Sequence, residues 1–385
     1  MKVLKVIFKT LLCLIIAVIV FVAAFLGYLS ITEWKPDDVE TAEELGELQV
    51  TLPGELFAAE GEEAINESVR ILTWNIGYEA LSETEDFFMD GGQKVRPDDK
   101  SLVEENMAAI ESFITKADAH FVFLQEVDED SKRSYNINEK ERLCTVYGDE
   151  INRRAFGEGA QTEAEKGYSA AYALNFSCKY VPFPIPAIGK VNSGLLTMGR
   201  YRLTDSRRHQ LSLSYSWPVR MANLKRCLLT SCVHIEGSDK QLILVNIHLE
   251  AYAPAEAKEA QIRILKELIV EMHEAGNYVV AGGDWNMAFP DADPELYPLT
   301  DTDNYVAETM SEEYCPEGWS FVYDETAPTC RLLNKPYDKE ATDTQYYVID
   351  GFLVSPNIKV EMVETVDAGF VNSDHNPVIM ELKLN

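Results

Sequence analysis

The stretch Phe370–Leu382, FVNSDHNPVIMEL, sets Asp374 beside His375 and follows them with a proline and a short apolar run. Read alone, it is either a solvated turn ahead of an edge strand or the last piece of a site whose other pieces lie upstream. The second reading requires partners, and the chain holds them at the ends of apolar runs. Asn75 closes ILTWN, Glu126 closes VFLQE and His248 closes LVNIH. Asp284 and Asn286 close VVAGGDWN, and Asp350 closes YYVID. One polar residue at a strand end is ordinary, because loops begin with polar residues. Many together point to strand ends converging on a cleft. Carboxylates buried side by side repel unless a cation or a proton offsets them, and a divalent metal is the simplest such partner.

The segments carrying these residues read as alternating strands and helices. VRILTWNIG (69–77) and HFVFLQEVD (120–128) are strand-like, and SLVEENMAAIESFITKA (101–117) between them has a helical rhythm through Leu102, Met107, Ile110 and Ile114. KRCLLTSCVHI (225–235) and KQLILVNIHLE (240–250) flank EGSD, a plausible hairpin turn. In residues 255–276, Ile262, Leu265, Leu268, Ile269 and Met272 form one stripe, and Gly276 suits the C-cap. NYVVAGGDWN, YYVIDGFLVSP and NPVIMELKL supply further strands. This mixture predicts sheets covered by helices.

The motifs TWNIG, LQEVD, NIHLE, GGDWN, VIDGF and NSDHNPV, in that order over roughly residues 69–385, resemble the endonuclease/exonuclease/phosphatase superfamily, the DNase I-like fold. No one motif is specific; the ordered set is. The resemblance implies an α/β (α+β) four-layer sandwich, with two mixed β-sheets packed face to face and helices outside. It also implies hydrolysis of a phosphate ester, usually with magnesium, manganese being the other candidate ion.

Carried over residue by residue, the resemblance makes Glu126 the main metal ligand, with Asp374 a further ligand and Asn75 the amide that supports the metal site. Asp284 resembles the carboxylate that orients or deprotonates the attacking water, and Asn286 would fix Asp284 or donate to a phosphate oxygen. His375 resembles the donor to the phosphoryl oxygen, oriented by Asp350. Adjacent strand residues point apart, so Asp374 and His375 are not expected to serve one another. His248 follows the pattern of DNase I, sphingomyelinases and inositol-polyphosphate phosphatases, where it would protonate a leaving oxygen or bind the phosphate.

The rest of the chain narrows the substrate. With 34 basic and 64 acidic residues the formal charge is −30, which repels a long polyanion; a phosphate-binding nucleic-acid surface is normally basic. Lys2, Lys5 and Lys9 precede 23 uncharged residues, Thr10–Thr32, enough for a bilayer span of about 20 residues. The lysines favour the cytoplasmic side. The expectation is therefore a single-pass anchor in residues 1–32, a cleaved signal peptide being the rival. An acidic linker (33–66) and a catalytic domain (67–385) on the non-cytoplasmic side follow, acting as a monomer. Of seven cysteines, Cys227 and Cys232 should face opposite sides of a strand, and Cys315 and Cys330 are candidates for a disulfide that spacing leaves open. Two specificity loops are expected, between Gly77 and the first helix and over 131–168; residues 179–194 add proline-stiffened apolar surface, for a lipid or hydrophobic partner or as a lid over the core, and 331–345 would line the same rim. In the second, Lys132, Arg133, Arg153 and Arg154 would either grip an anion or form a mixed-charge surface. The expected function is a phosphodiesterase or phosphatase of small or lipid head-group substrates. The alternatives are an extracytoplasmic nuclease and a catalytically silent binding module.

Overall fold

The computed structural model describes residues 2–46, 55–56, 68–156, 168–235 and 237–384. Its helices are α1 (Lys2–Thr32), α2 (Lys100–Ala117), α3 (Glu139–Phe156) and α4 (Ala255–Glu274). The strands begin β1 (Val39–Thr41), β2 (Glu43–Leu45), β3 (Glu55–Leu56), β4 (Val69–Asn75), β5 (Phe121–Asp128) and β6 (Ser169–Val181). β7 (Gly189–Gly199), β8 (Thr204–Gln210), β9 (Cys227–Ile235), β10 (Gln241–His248), β11 (Tyr278–Asp284) and β12 (Ser320–Val322) follow. The last are β13 (Cys330–Arg331), β14 (Tyr346–Tyr347), β15 (Asp350–Val354), β16 (Ile358–Thr365) and β17 (Val378–Leu384).

One sheet runs β16-β17-β4-β5-β7-β6-β2 and the other β1-β8-β9-β10-β11-β15-β12, with β3 beside β9. Both are mixed: β4 and β5 are parallel in the first, β10 and β11 in the second, and the remaining neighbours of these strands are antiparallel. Period-two alternation sorts the side chains into layers. Ile71, Phe121 and Phe123 of the first sheet meet Leu229, Leu244 and Phe352 of the second in the central layer. Leu72, Val122 and Leu124 point the other way, onto Ile110 and Ile114 of α2 and Leu143 and Tyr147 of α3. Ile243, Val245 and Val279 pack under Ile262, Leu265 and Ile269 of α4. Helix, sheet, sheet and helix are the expected layers. Cys227 joins the central layer while Cys232 packs on the α4 side, as their odd spacing requires. Cys315 and Cys330 are free thiols.

Two expectations change. Segment 33–66 is no plain linker at its start: β1 pairs with β8 at the edge of one sheet and β2 with β6 at the edge of the other. This short acidic stretch satisfies backbone groups that two edge strands would otherwise expose. Apart from β3, the remainder of that segment past residue 46 lies outside the described residues. Of the expected loop 131–168, residues Glu139–Phe156 are helix α3. Its buried stripe, Leu143, Cys144, Tyr147 and Ile151, is diluted by charged neighbours, so the sequence reads as polar. Residues 157–167 lie outside the described residues.

A polar contact ties the two sheets together inside the apolar layer. Asn246 of β10 accepts from Gln125 Nε2 of β5 at 2.8 Å and donates to the carbonyls of Leu124 and Leu196 at 3.2 and 3.1 Å. Removing it strands buried partners. Asn246→Ala should therefore cost about 1–3 kcal/mol, read as a lowered denaturant midpoint of unfolding.

Candidate active site

Register in the second sheet puts three of the singled-out residues in one row. His248 of β10 is paired with Asp284 of β11, and Asp284 with Asp350 of β15; paired residues project from the same face. The glycines of GGDWN permit this approach. Gly283 has φ +148°, and a Cβ on it would lie 2.0 Å from the Ile247 carbonyl oxygen. From the first sheet, Asn75 ends β4. Glu126 sits where the pairing of β5 with β7 slips between Leu124 and Val127, with φ 57°. Such a bulge re-aims a side chain out of the ladder.

Asp374 and His375 arrive on the bend between β16 and β17. Ser373 Oγ donates to the Asn75 carbonyl at 2.8 Å, and Trp74 Nε1 to the His375 carbonyl at 2.8 Å. Because this stretch is a bend and not a strand, the two side chains do not point apart as expected. His375 Nε2 lies 4.0 Å from Asp374 Oδ2, and both residues line the cleft. Asn75, Glu126, His248, Asp284 and Asn286 line it too, with Asp350 seated behind His375.

His375 Nδ1 is 2.8 Å from Asp350 Oδ2, and its Nε2 is 3.8 Å from Asp284 Oδ2. Burial works against a charged ring, but the Asp350 and Asp284 carboxylates outweigh it and hold the His375 pKa well above the ordinary value. This favours the imidazolium, whose Nδ1–H would donate to Asp350. His248 takes the opposite state. Burial, together with the nearby Arg226 guanidinium, holds its pKa well below the ordinary value, leaving a neutral ring 3.4 Å from Asp284 Oδ2 and 3.8 Å from Glu126 Oε1.

Asp284 is held from two sides. Asn75 Nδ2 donates to its Oδ2 at 3.0 Å and the Asn286 amide to its Oδ1 at 2.8 Å. Asn286 Nδ2 is itself tied to the Leu249 carbonyl at 2.9 Å, and Asn75 Oδ1 accepts from Gly77 at 3.0 Å. Both amides are thus supports for Asp284. Burial raises the Asp284 pKa to about 6. It raises that of Glu126 as well and carries Asp374 to about 7, with Glu126 adding repulsion.

This donor set fits a hard divalent ion. Among the described residues, two sets have ligand atoms that lie within 4.8 Å of one another inside each set: Asp284, Asp350 and His375, and Cys330, Asp374 and His375. A protonated His375 is no ligand, and burial pushes the Cys330 thiol up to about 12. Asp350 is turned to His375. What remains facing the cleft is oxygen from Glu126, Asp374 and Asp284, carboxylates whose mutual repulsion a cation relieves.

Several residues of this site escape a sequence reading. Arg226 donates through Nη1 to the His248 carbonyl at 3.3 Å and lies 3.6 Å from Glu250. Thr329 Oγ1 accepts from the amides of Ile349 and Asp350 at 2.9 and 3.1 Å. Tyr305 Oη donates to the Asn286 carbonyl at 3.0 Å. Only for Arg226 is there a signal: hairpin register places it beside the strand end that carries His248. Of the four loop cations, Arg133 alone lines the cleft, paired with Asp128 at 2.9 Å and lying over the Tyr78 ring at 3.6 Å. Arg153 and Arg154 pair with Glu150 and Lys132 with Asn136. They form mixed-charge surface.

The model of the Endonuclease/Exonuclease/phosphatase family matches residues 72–375. No curated protein matches the chain. Among solved structures, an endonuclease/exonuclease/phosphatase from Beutenbergia cavernae is 18% identical with a TM-score of 0.54, over 83% of this chain and 72% of that one. A family protein from Leptotrichia buccalis is 12% identical with a TM-score of 0.52, over 82% and 100%. ANGEL2, a 2',3'-cyclic phosphatase solved with adenosine-2',3'-vanadate, is 14% identical with a TM-score of 0.52, over 83% and 96%. These likenesses are of fold.

The paired states of the two histidines can be read directly. In metal-free protein, His375 should stay protonated at pH values where His248 is neutral, and Asp350→Asn should lower the His375 pKa by removing the charge that opposes desolvation. Imidazole NMR across a pH titration measures both.

Proposed function

The chain belongs to the endonuclease/exonuclease/phosphatase family, and from that premise we propose that it is a membrane-anchored, divalent-metal-dependent hydrolase of phosphate esters carried by small or lipid head-group substrates. The observation that carries the reaction is the placement of the Asp284 carboxylate 3.8 Å from His375 Nε2 in one cleft, with Asp350 2.8 Å from Nδ1 of the same ring. Asp284, aligned by Asn75 and Asn286, accepts the proton of a water directed at phosphorus. His375, fixed by Asp350, donates Nε2–H to the phosphoryl oxygen where negative charge builds. His248 is better placed to hold a phosphoryl oxygen through its neutral N–H than to give up a proton. A divalent ion, magnesium or manganese, held by Glu126 and Asp374, would neutralise the phosphate and stabilise the departing oxygen. None of these groups is placed as a covalent nucleophile.

The anchor reading rests on α1, a helix long and apolar enough to cross a membrane, whose most apolar window has no residue buried in the protein. A core helix would bury one face. A second reading within the same chemistry is a nuclease or nucleotide phosphoesterase. The family's description puts nucleases first, and the cyclic phosphatase holds an adenosine analogue. A charge of −30 opposes long nucleic acid but not a single nucleotide.

Three outcomes check this reading. The full-length chain should stay with membranes through high-salt and carbonate washes, and release of a product lacking the first 30 or so residues would make α1 a signal peptide instead. EDTA should abolish hydrolysis, with magnesium or manganese restoring it. Asp284→Asn and His375→Ala should each lower turnover by at least about 100-fold with the domain still folded by circular dichroism, His375→Ala at a lower melting temperature because Asp350 loses its partner. Substrate class is decided by a panel of DNA, RNA, mononucleotides, sphingomyelin, phosphatidylinositol and inositol phosphates at two salt concentrations. Repulsion of nucleic acid is strongest at low salt, so efficient DNA cleavage there without lipid activity would put the nuclease reading first.

A further inference from the structure

The cleft does not end at the catalytic groups. It continues as a trough of about 550 Å³ in all, and its far wall is Phe25, Leu26 and Leu29 at the end of α1. Also lining it are Phe88 and Met89 from the segment before α2, Val181 at the end of β6, Ile188 from the β6–β7 loop, and Met221 and Leu224 from the segment before β9. The polar groups of the site and these apolar side chains line one continuous space.

The end of α1 is fastened there. Glu33, just past the helix, pairs with Arg220 at 3.2 Å and Lys225 at 3.4 Å, and the Glu33 and Lys225 side chains are only 4% and 5% exposed. Ser30 Oγ lies 3.0 Å from Met221 Sδ and accepts from Trp217 Nε1 at 3.4 Å. Phe25 meets the Tyr180 ring edge-on at 6.2 Å. Such buried ion pairs hold a geometry, since breaking one leaves an uncompensated charge. Beside this junction, Phe183, Ile185, Trp217 and Val219 are 66%, 93%, 54% and 55% exposed, an apolar rim on the side from which α1 leaves.

The span arithmetic sets the depth. Counting about 20 residues for the hydrocarbon core from Thr10 reaches Leu29, so the trough opens where α1 emerges from the bilayer. We propose that the last turns of α1 are a wall of the substrate site, and that the trough takes the acyl chains of a membrane phospholipid whose phosphate ester lies at His248, Asp284 and His375. This rests on the reading of the site as a phosphoesterase and of α1 as an anchor. A substrate with its head at those three residues and its tail along α1 leaves the bilayer only in part. Its chains pass from lipid to an apolar wall without crossing water, so the desolvated surface stays desolvated.

The test uses the full-length Asp284→Asn protein in nanodiscs doped with a phosphatidylcholine that carries a diazirine in mid-chain, with labelled residues mapped by mass spectrometry. Ile188 and Leu224, inside the trough, should label, and soluble dihexanoyl phosphatidylcholine should compete that label away. Ile185, on the outer rim, should label without competition. Label confined to residues 2–24 and the rim, or indifferent to the competitor, overturns the proposal. A second arm uses active full-length protein. Phe183→Ser with Val219→Ser, both exposed positions, should lower the ratio of kcat/KM for a long-chain lipid to that for its deacylated head group by at least about 10-fold. One buried methylene alone is worth roughly fourfold. An unchanged ratio overturns the proposal. Competed label without any hydrolysis supports the trough and removes the catalytic reading, whereas hydrolysis without competed label does the reverse.

Discussion

Four carboxylates, Glu126, Asp284, Asp350 and Asp374, crowd around the two imidazoles of His248 and His375, the last three buried and Glu126 24% exposed, and the protein around them is arranged to tolerate it. Carboxylates in so little water are stable only when each has a stated partner. Asp350 has the His375 imidazolium at 2.8 Å, and Asp284 has two amide groups. Glu126 and Asp374 are left with raised pKa values and no comparable support. The repulsion between them is of the kind a cation would relieve.

Holding these groups requires two sheets fixed in relation to each other, because Asn75 and Glu126 come from one and His248, Asp284 and Asp350 from the other. An apolar sandwich interior alone specifies distance loosely. The Gln125–Asn246 contact, made one residue before Glu126 and two before His248, adds a directional constraint close to the strand ends that line the cleft. The Ser373 and Trp74 bonds then pin the last loop to β4. Both are buried polar contacts of the kind that define one arrangement among many apolar ones.

The junction of α1 with the catalytic unit follows the same rule. A tether would leave the cleft free to face any direction. Glu33 buried against Arg220 and Lys225, and β1 and β2 added to the two sheet edges, fasten residues 33–45 and with them the end of α1 to the folded body. Orientation of the cleft relative to the apolar helix is therefore set by ion pairs and backbone ladders.

Much of the candidate site was legible because it sits at the ends of regular elements. Asn75, His248, Asp284 and Asp350 each interrupt an apolar run, and a polar residue there is visible against local hydrophobicity without knowledge of the fold. The alternation and the 3.6-residue stripe of α4 are equally local, so strands and that helix could be read. Other features depend on neighbours far away in sequence. Helix α3 shows its stripe only against β5, and Arg226 and Thr329 matter only because strand register brings them beside His248 and Asp350. The convergence of Asp374 and His375 depends on a bend held by Ser373 and Trp74, and the acidic start of the supposed linker becomes strand because two edges need hydrogen-bond partners. Local chemistry decides which residues end a strand; long-range pairing, which no short window of sequence contains, decides what each end faces.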